Sequence, residues 1–194
     1  MTAADTIIAT RRLVLRYPQA GDLACLHARV LSDAQVMRHV FLGVPFTPAQ
    51  SEAFFATSFD HDRSGRRLGV LTERASGDVV GFSGLMPCTV LGSQDYEIGF
   101  VLSRSVWSLG YGTEIGRGQL AYGFGALGCQ RLLAQVAPDN RASIATLQKI
   151  GMQLHSSLHS EGRGLRAIYA AQAPAFQHSA DTATPLPSDL PSYR

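Results

Sequence analysis

Asn140-Arg141-Ala142-Ser143-Ile144-Ala145-Thr146-Leu147-Gln148-Lys149-Ile150-Gly151 reads as one complete helix with its stop signals. Asp139 or Asn140 suits the N-cap, and Gly151 suits the C-terminal cap. Asn140 and Ser143 are three apart, so they share a face. Ile144 and Leu147 carry that face into apolar territory. Capping explains the Asn and the Gly, but not the combined pattern over twelve residues.

A second informative stretch lies upstream, at Ser105-Val106-Trp107-Ser108-Leu109-Gly110-Tyr111-Gly112-Thr113-Glu114. It follows a strand-like run and leads into a helix. The first turn of a helix offers unpaired N–H groups and a positive dipole end, and glycines let an anion come close. A pyrophosphate is the natural ligand. Packing is the competing explanation. Seven glycines fall between Gly110 and Gly128, and each interior one costs about 1 kcal/mol against Ala. Gly112, Gly116 and Gly123 fall on one helical face, so the helix is expected to lie close to the sheet or another backbone. A dinucleotide fingerprint would need glycine at Ile115, and no Lys-Ser or Lys-Thr pair completes a P-loop. Glu114 would repel an anion, so it is expected to point away, paired with Arg117 or its neighbours.

The surrounding chain fits one domain over 1–172, followed by a Pro-, Ser- and Ala-rich tail over 173–194 that buries little apolar surface. Hydrophobic residues make up 45% and charged residues 16%, below the roughly 25% charged of an average domain. The net charge of +2 gives no strong field for nucleic acid or an anionic membrane. Cys25, Cys88 and Cys129 lack metal or disulfide spacing and read as small buried residues in a reducing compartment. No secretory leader or spanning segment is evident, so a cytoplasmic location is expected.

Alternation marks a half-buried strand over 12–17. A helix capped by Asp22 is expected to about Leu31, a short one over 34–41, and a third opening at Thr47-Pro48 with Phe54, Phe55 and Phe59. Strands are expected over 68–74, 79–87 and 96–102. The glycine-rich helix should end near Leu127 with Gly128 at C′. Strands over 131–136, 153–158 and 166–171 complete an α/β (α+β) order, implying one mixed, mostly antiparallel sheet with helices on its faces.

The twelve-residue pattern N-x-x-S-x-x-x-L-x-K-x-G resembles the fourth-helix motif of the GNAT acetyltransferase superfamily. Tyr96-Glu97-Ile98-Gly99-Phe100-Val101-Leu102, running into Trp107–Glu114, resembles that superfamily's acyl-CoA motif. The first strand, Thr10-Arg11-Arg12-Leu13-Val14-Leu15-Arg16, is similar to the ribosomal-protein N-acetyltransferase (Rim-type) branch. The resemblance covers about residues 10–172. It implies that the strand at 100–102 splays from the strand at 132–136 to hold acyl-CoA. Phe100 and Leu102 would pair with pantetheine through backbone groups. The N–H groups of Leu109, Gly110, Tyr111, Gly112 and Thr113 would hold the pyrophosphate, and Asn140 and Ser143 the cofactor arm.

The implied reaction is direct attack of an amine on acetyl-CoA, with no metal. The acceptor is a protein N-terminal α-amine or a small-molecule amine, and the protein a monomer or homodimer. Glu97 is the candidate base; Glu-x-Gly would place a bulge that turns it inward, while a solvated sheet face is the competing reading. Ser143, Thr146, Tyr111 or a water would protonate the departing thiolate, or it would leave with no dedicated acid. The sequence departs from the pattern in places. Trp107 and Leu109 stand where polar or basic residues are usual. Leu147 replaces a common Tyr, and Gln135 an acidic residue. Those departures favour the alternative of an acyl-CoA-binding module with little transferase activity. His155 and His159 lie too far apart in a strand to share a metal ion. His39, Asp60, His61 and Asp62 fall where the resemblance implies the acceptor site is shaped; they read as solvated loop charges, with substrate binding as the alternative.

Overall fold

A computed structural model describes residues 5–173; the expected tail beyond Ala173 lies outside the described residues. Eight strands form one sheet in the order β1-β2-β3-β4-β5-β6-β8-β7. These are β1 (Thr6–Ala9), β2 (Leu13–Arg16), β3 (Leu68–Glu73), β4 (Val79–Cys88), β5 (Asp95–Leu102), β6 (Arg131–Val136), β7 (Gln153–Ser160) and β8 (Gly164–Gln172). Every neighbouring pair is antiparallel except β5 with β6. The helices are α1 (Asp22–Leu26, prolonged by a π turn to Leu31), α2 (Ala34–Met37), α3 (Pro48–Ser58), α4 (Tyr111–Gly125) and α5 (Arg141–Lys149).

Helices cover both faces of this sheet. Val70 and Leu71 are consecutive on β3, so their side chains point oppositely. Val70 packs with Leu26, Val30 and Met37 of the α1–α3 layer. Leu71 packs with Tyr111 and Ile115 of α4. This double cover corrects the expected half-buried first strand, because all four residues of β2 are buried. Arg16 survives there by a bidentate pair with Asp22, both bonds 2.7 Å. Asp22 also accepts the Gln19 N–H at 2.6 Å. It is therefore not the expected cap; Gly21 holds that position. β1 was not expected, since Thr6-Ile7-Ile8-Ala9 is too short to display a period.

The glycine face of α4 does serve close packing, against side chains of its neighbours. A methyl at Gly116 would meet Ile150 at 2.9 Å, and one at Gly123 would meet Leu132 at 2.6 Å and Leu85 at 2.9 Å. The helix ends at Gly125, slightly before the expected Leu127. α3 starts as read, with Thr47 and Gln50 forming a reciprocal capping box. Of the cysteines, Cys25 is exposed and Cys88 and Cys129 are half-buried, so the buried reading fails for Cys25.

These contacts separate two glycines of one helix. Gly125 has open space for a methyl group, so Gly125→Ala is expected to gain up to about 1 kcal/mol in helix propensity. Gly123→Ala crowds two buried leucines and is expected to lose about 1 kcal/mol or more. Chemical denaturation of the two variants beside the parent checks the opposite signs.

Candidate active site

The site starts from the single parallel seam of the sheet. β5 and β6 share only two rungs, Tyr96 with Leu132 and Glu97 with Leu133. Beyond them β5 follows β4 as far as Leu102, and β6 follows β8 as far as Val136. The two strands therefore part and leave facing edges unpaired, as the resemblance implied. The closed end is clamped. Arg131 of β6 donates to Asp95 of β5 at 2.7 and 3.0 Å and to Ser93 Oγ at 2.6 Å. This pairing holds the Asp95 carboxyl below its usual range.

Two cavities meet at the open end. The larger, about 840 Å³, runs along Phe100, Leu102, Gly110, Tyr111, Gly112 and Thr113 to Asn140 and Ser143. The smaller, about 260 Å³, lies toward Phe41, Phe54, Phe82 and Glu97. His39, Val40, Phe100, Val101, Asn140 and Ser143 border both. Of the residues expected to hold cofactor, only Leu109 stands off the larger cavity. It is exposed, and its carbonyl accepts from Arg12 Nη1 at 2.9 Å. Leu102 borders the trough, but its carbonyl already accepts the Trp107 indole N–H at 2.9 Å.

The turn before α4 is held in an uncommon shape. Ser108 (φ 63°) and Gly110 (φ 80°) both lie in the left-handed region, which costs a non-glycine residue on the order of 1 kcal/mol. The result is an α4 N-terminus without a side-chain cap. Its free N–H groups fall at residues that border the trough. Glu114 does not pair with Arg117. It accepts from Thr10 Oγ1 (2.7 Å), the Arg12 N–H (2.7 Å) and Arg12 Nε (2.6 Å). Three donors from the β1–β2 turn thus bind the carboxylate and hold its pKa down. Arg12 also lies over the Tyr111 ring, 4.6 Å from its centre. The Tyr111 hydroxyl donates to Glu73 and its ring is buried. The hydroxyl proton of Tyr111, a candidate acid, is thus engaged at Glu73.

Asn140 is the N-cap of α5, its Oδ1 accepting the Ser143 N–H at 3.1 Å. Gly151 closes the helix with φ 92°. Its N–H bonds the Gln148 carbonyl, and the Met152 N–H bonds that of Leu147, a Schellman closure. This fixes Ser143 and Leu147 relative to Asn140. Leu147 is buried in the core, and the Thr146 hydroxyl is spent on the Ala142 carbonyl at 3.0 Å.

Glu97 stands on the last rung of the seam. β5 keeps an unbroken register with β4 throughout, so no bulge turns it; plain alternation does. It is half-buried rather than on a solvated face. Burial pushes its carboxyl above the ordinary range, opposed by the Gln135 amide, which donates at 2.6 Å, and by the charges of Arg163 and Arg166. Cys88 feels the same surroundings, its thiol raised by burial and by Glu97.

Several site residues escaped the sequence reading. Gln119 is fully buried, and its Nε2 donates to the carbonyls of Gly84 (2.7 Å) and Gly99 (3.0 Å), fastening β4 to β5. Arg38, Arg141 and Lys149 border the trough, supplying positive charge that the loop itself lacks. His39 also borders it, with Nδ1 3.6 Å from Asp139 Oδ1. Asp60 is instead buried and accepts from Ser64 and Gly65. Among the described residues no cluster of acidic, His or Cys groups could hold a metal ion, and no helix is long and apolar enough to cross a membrane.

A long trough with free strand edges, a helix N-terminus and three peripheral cations suits a long thiol ester bearing phosphates. Comparison with known proteins identifies the class. The family described as acetyltransferase (GNAT) domain matches residues 12–153. The chain is 27% identical to YkkB of Bacillus subtilis over 166 residues, 86% of this chain and 95% of that protein. A GNAT-family acetyltransferase from Bacillus anthracis superposes with a TM-score of 0.74 at 24% identity, over 86% of this chain and 98% of that one. Spermidine N-acetyltransferase from Vibrio cholerae, solved with CoA and spermine, superposes with a TM-score of 0.68 at 17% identity, over 83% and 95%. The chain belongs to the GNAT acetyltransferase domain family, and is an acetyl-CoA-dependent N-acetyltransferase.

Asn140 carries two burdens in this geometry, a helix cap and a wall of the trough. Asn140→Ala is expected to lower stability by about 1 kcal/mol and to raise the KM for acetyl-CoA. Denaturant titration and steady-state kinetics at saturating amine check the pair of effects.

Proposed function

We propose that the chain moves an acetyl group to a primary amine that enters through the smaller cavity, with Glu97 as the base. The observation that carries this reading is the place of Glu97. It sits where the parted strands begin and where the apolar cavity ends. Acetyl-CoA, when bound in the trough, supplies the acetyl thioester that the amine attacks. Phe100 and Leu102 line it through the free edge of β5, the 110–113 backbone, Arg38 at the C-cap of α2 and the cations of α5 take the phosphates, and Asn140 and Ser143 hold the arm.

An ammonium group must lose a proton before it attacks. An α-amine has a pKa near 8 and a lysine near 10.4, so an α-amine is the easier acceptor. Glu97 takes that proton. Its raised pKa brings it closer to the amine it serves, which is the direction that favours general-base catalysis. The CoA thiol has a pKa near 8.5, so its thiolate departs without a strong acid. Ser143 gives it a hydroxyl to bond, and Leu147 contributes only an apolar wall. The ribosomal-protein type of acceptor draws no further support from the first-strand motif. Thr10 and Arg12 serve Glu114, Arg16 serves Asp22, and Leu13 and Leu15 lie in the core.

Glu97→Gln is expected to lower kcat by roughly 100-fold or more while the protein still binds acetyl-CoA. CoA release with an amine panel, beside acetyl-CoA titration calorimetry, tests it. An unchanged kcat in that variant would remove Glu97 from the chemistry. No CoA release from any amine despite tight acetyl-CoA binding would favour the binding-module alternative.

The pH dependence carries a sign. Glu97 must be ionised, so kcat/KM rises with pH through its pKa, which lies above the ordinary carboxyl value. Gln135→Leu removes a bond that lowers this pKa. The acid limb of the profile is expected to move to higher pH in that variant, and a limb that stays put or moves down contradicts the pairing.

A further inference from the structure

The acceptor cavity has an uneven chemical lining. Phe41, Phe54 and Phe82 form one wall, their rings edge to face with centroids 5.0 and 5.7 Å apart. Such a wall suits an apolar or aromatic body. Among the described residues, Glu97 supplies the single carboxylate bordering this chamber. Arg163, from the turn between β7 and β8, borders it as well.

Arg163 brings an unsatisfied donor. Its Nε is buried and has no partner among the described residues. The Nε of Arg166 is in the same state, in a residue only 5% exposed. Among the described residues, the Arg166 side chain bonds the Phe41 carbonyl at 3.5 Å. The two guanidiniums act on each other and on Glu97. Buried cationic donors without partners are costly, and an arriving anion removes that cost.

We infer that the acceptor is a primary amine carrying a carboxylate on an apolar body, with Arg163 as the carboxylate's partner; a free apolar α-amino acid is the smallest such molecule. The inference rests on the acetyl-transfer reading of the site above. A guanidinium fork matches a carboxylate bidentately. Glu97 is left for the ammonium group, and the phenylalanines for the side chain. A polyamine would instead bring extra positive charge beside two arginines, a repulsive element against that class. An internal peptide carbonyl, as follows a protein N-terminus, carries no charge for the fork to meet.

The test uses the whole chain with CoA present. L-phenylalanine, L-phenylalanine amide and spermidine are titrated by calorimetry, and CoA release from acetyl-CoA is followed with each. The acid is expected to bind and turn over at least 10-fold better than the amide, with spermidine the poorest. Arg163→Gln is expected to erase the difference between acid and amide with an unchanged KM for acetyl-CoA, and Arg163→Lys to keep part of it. Absence of any preference for the acid in the parent protein, including no binding at millimolar concentration, overturns the inference. So does a preference that survives Arg163→Gln. Acid-selective binding without CoA release upholds it and instead sinks the transfer reading.

Discussion

Two rungs of parallel pairing, Tyr96 with Leu132 and Glu97 with Leu133, join the two halves of this sheet. Such a seam is weak as hydrogen bonding, so other forces must hold it. The Arg131–Asp95 pair clamps one end. Beneath it a single cluster crosses from Leu85 and Ile98 on one half to Leu132, Ala134, Val136 and Tyr169 on the other, with Leu147, Ile150 and Met152 closing over it. Apolar burial is non-directional, and this is why it can hold strands together without pairing their backbones. The seam can then stay open where a ligand needs free N–H and C=O groups. The glycine face of α4 belongs to the same solution. Gly116 and Gly123 let the helix settle onto Ile150 and Leu132, which brings its N-terminus to the mouth of the opening.

That dependence explains which parts were legible in the sequence. Strands with a clean period and helices with caps were read within a few residues. The 140–151 helix was read most fully, because its N-cap, its Schellman glycine and its apolar face are all local features. The splayed strands came from resemblance rather than from any period. What could not be read was pairing over long separations. Glu114 with Arg12, Glu97 with Gln135 and Gln119 with Gly84 are each set by the topology. Periodicity carries no signal for them. Glu114 shows the consequence. A carboxylate in the first turn of a helix read as an anion site looked like a conflict, and only the β1–β2 turn reveals where its charge is spent.

Gln135 is the most informative of the departures from the family pattern. Read as a lost acid, it favoured a chain without chemistry. In the structure its amide donates to Glu97 at 2.6 Å. A second carboxylate there would sit against the first, and like charges at that distance force one of the pair to hold a proton. An amide avoids that coupling and leaves a single carboxylate to titrate. The position thus keeps a polar contact across the opening, and the proposed base has no second carboxylate beside it.

Leu147 takes part in the same balance. It is the third residue from the end of α5, packed against Met152 in the Schellman closure, and it also borders the smaller cavity. Its apolar side chain lines the same cavity as Glu97, whose carboxyl burial raises. A tyrosine hydroxyl there would assist the thiolate but bring a polar group beside the carboxylate. With a leaving thiol near pKa 8.5, the harder proton to move is the one on the amine. Under the proposed mechanism the residues at this junction serve a base rather than an acid, and that ordering follows from which of the two protons opposes the reaction more.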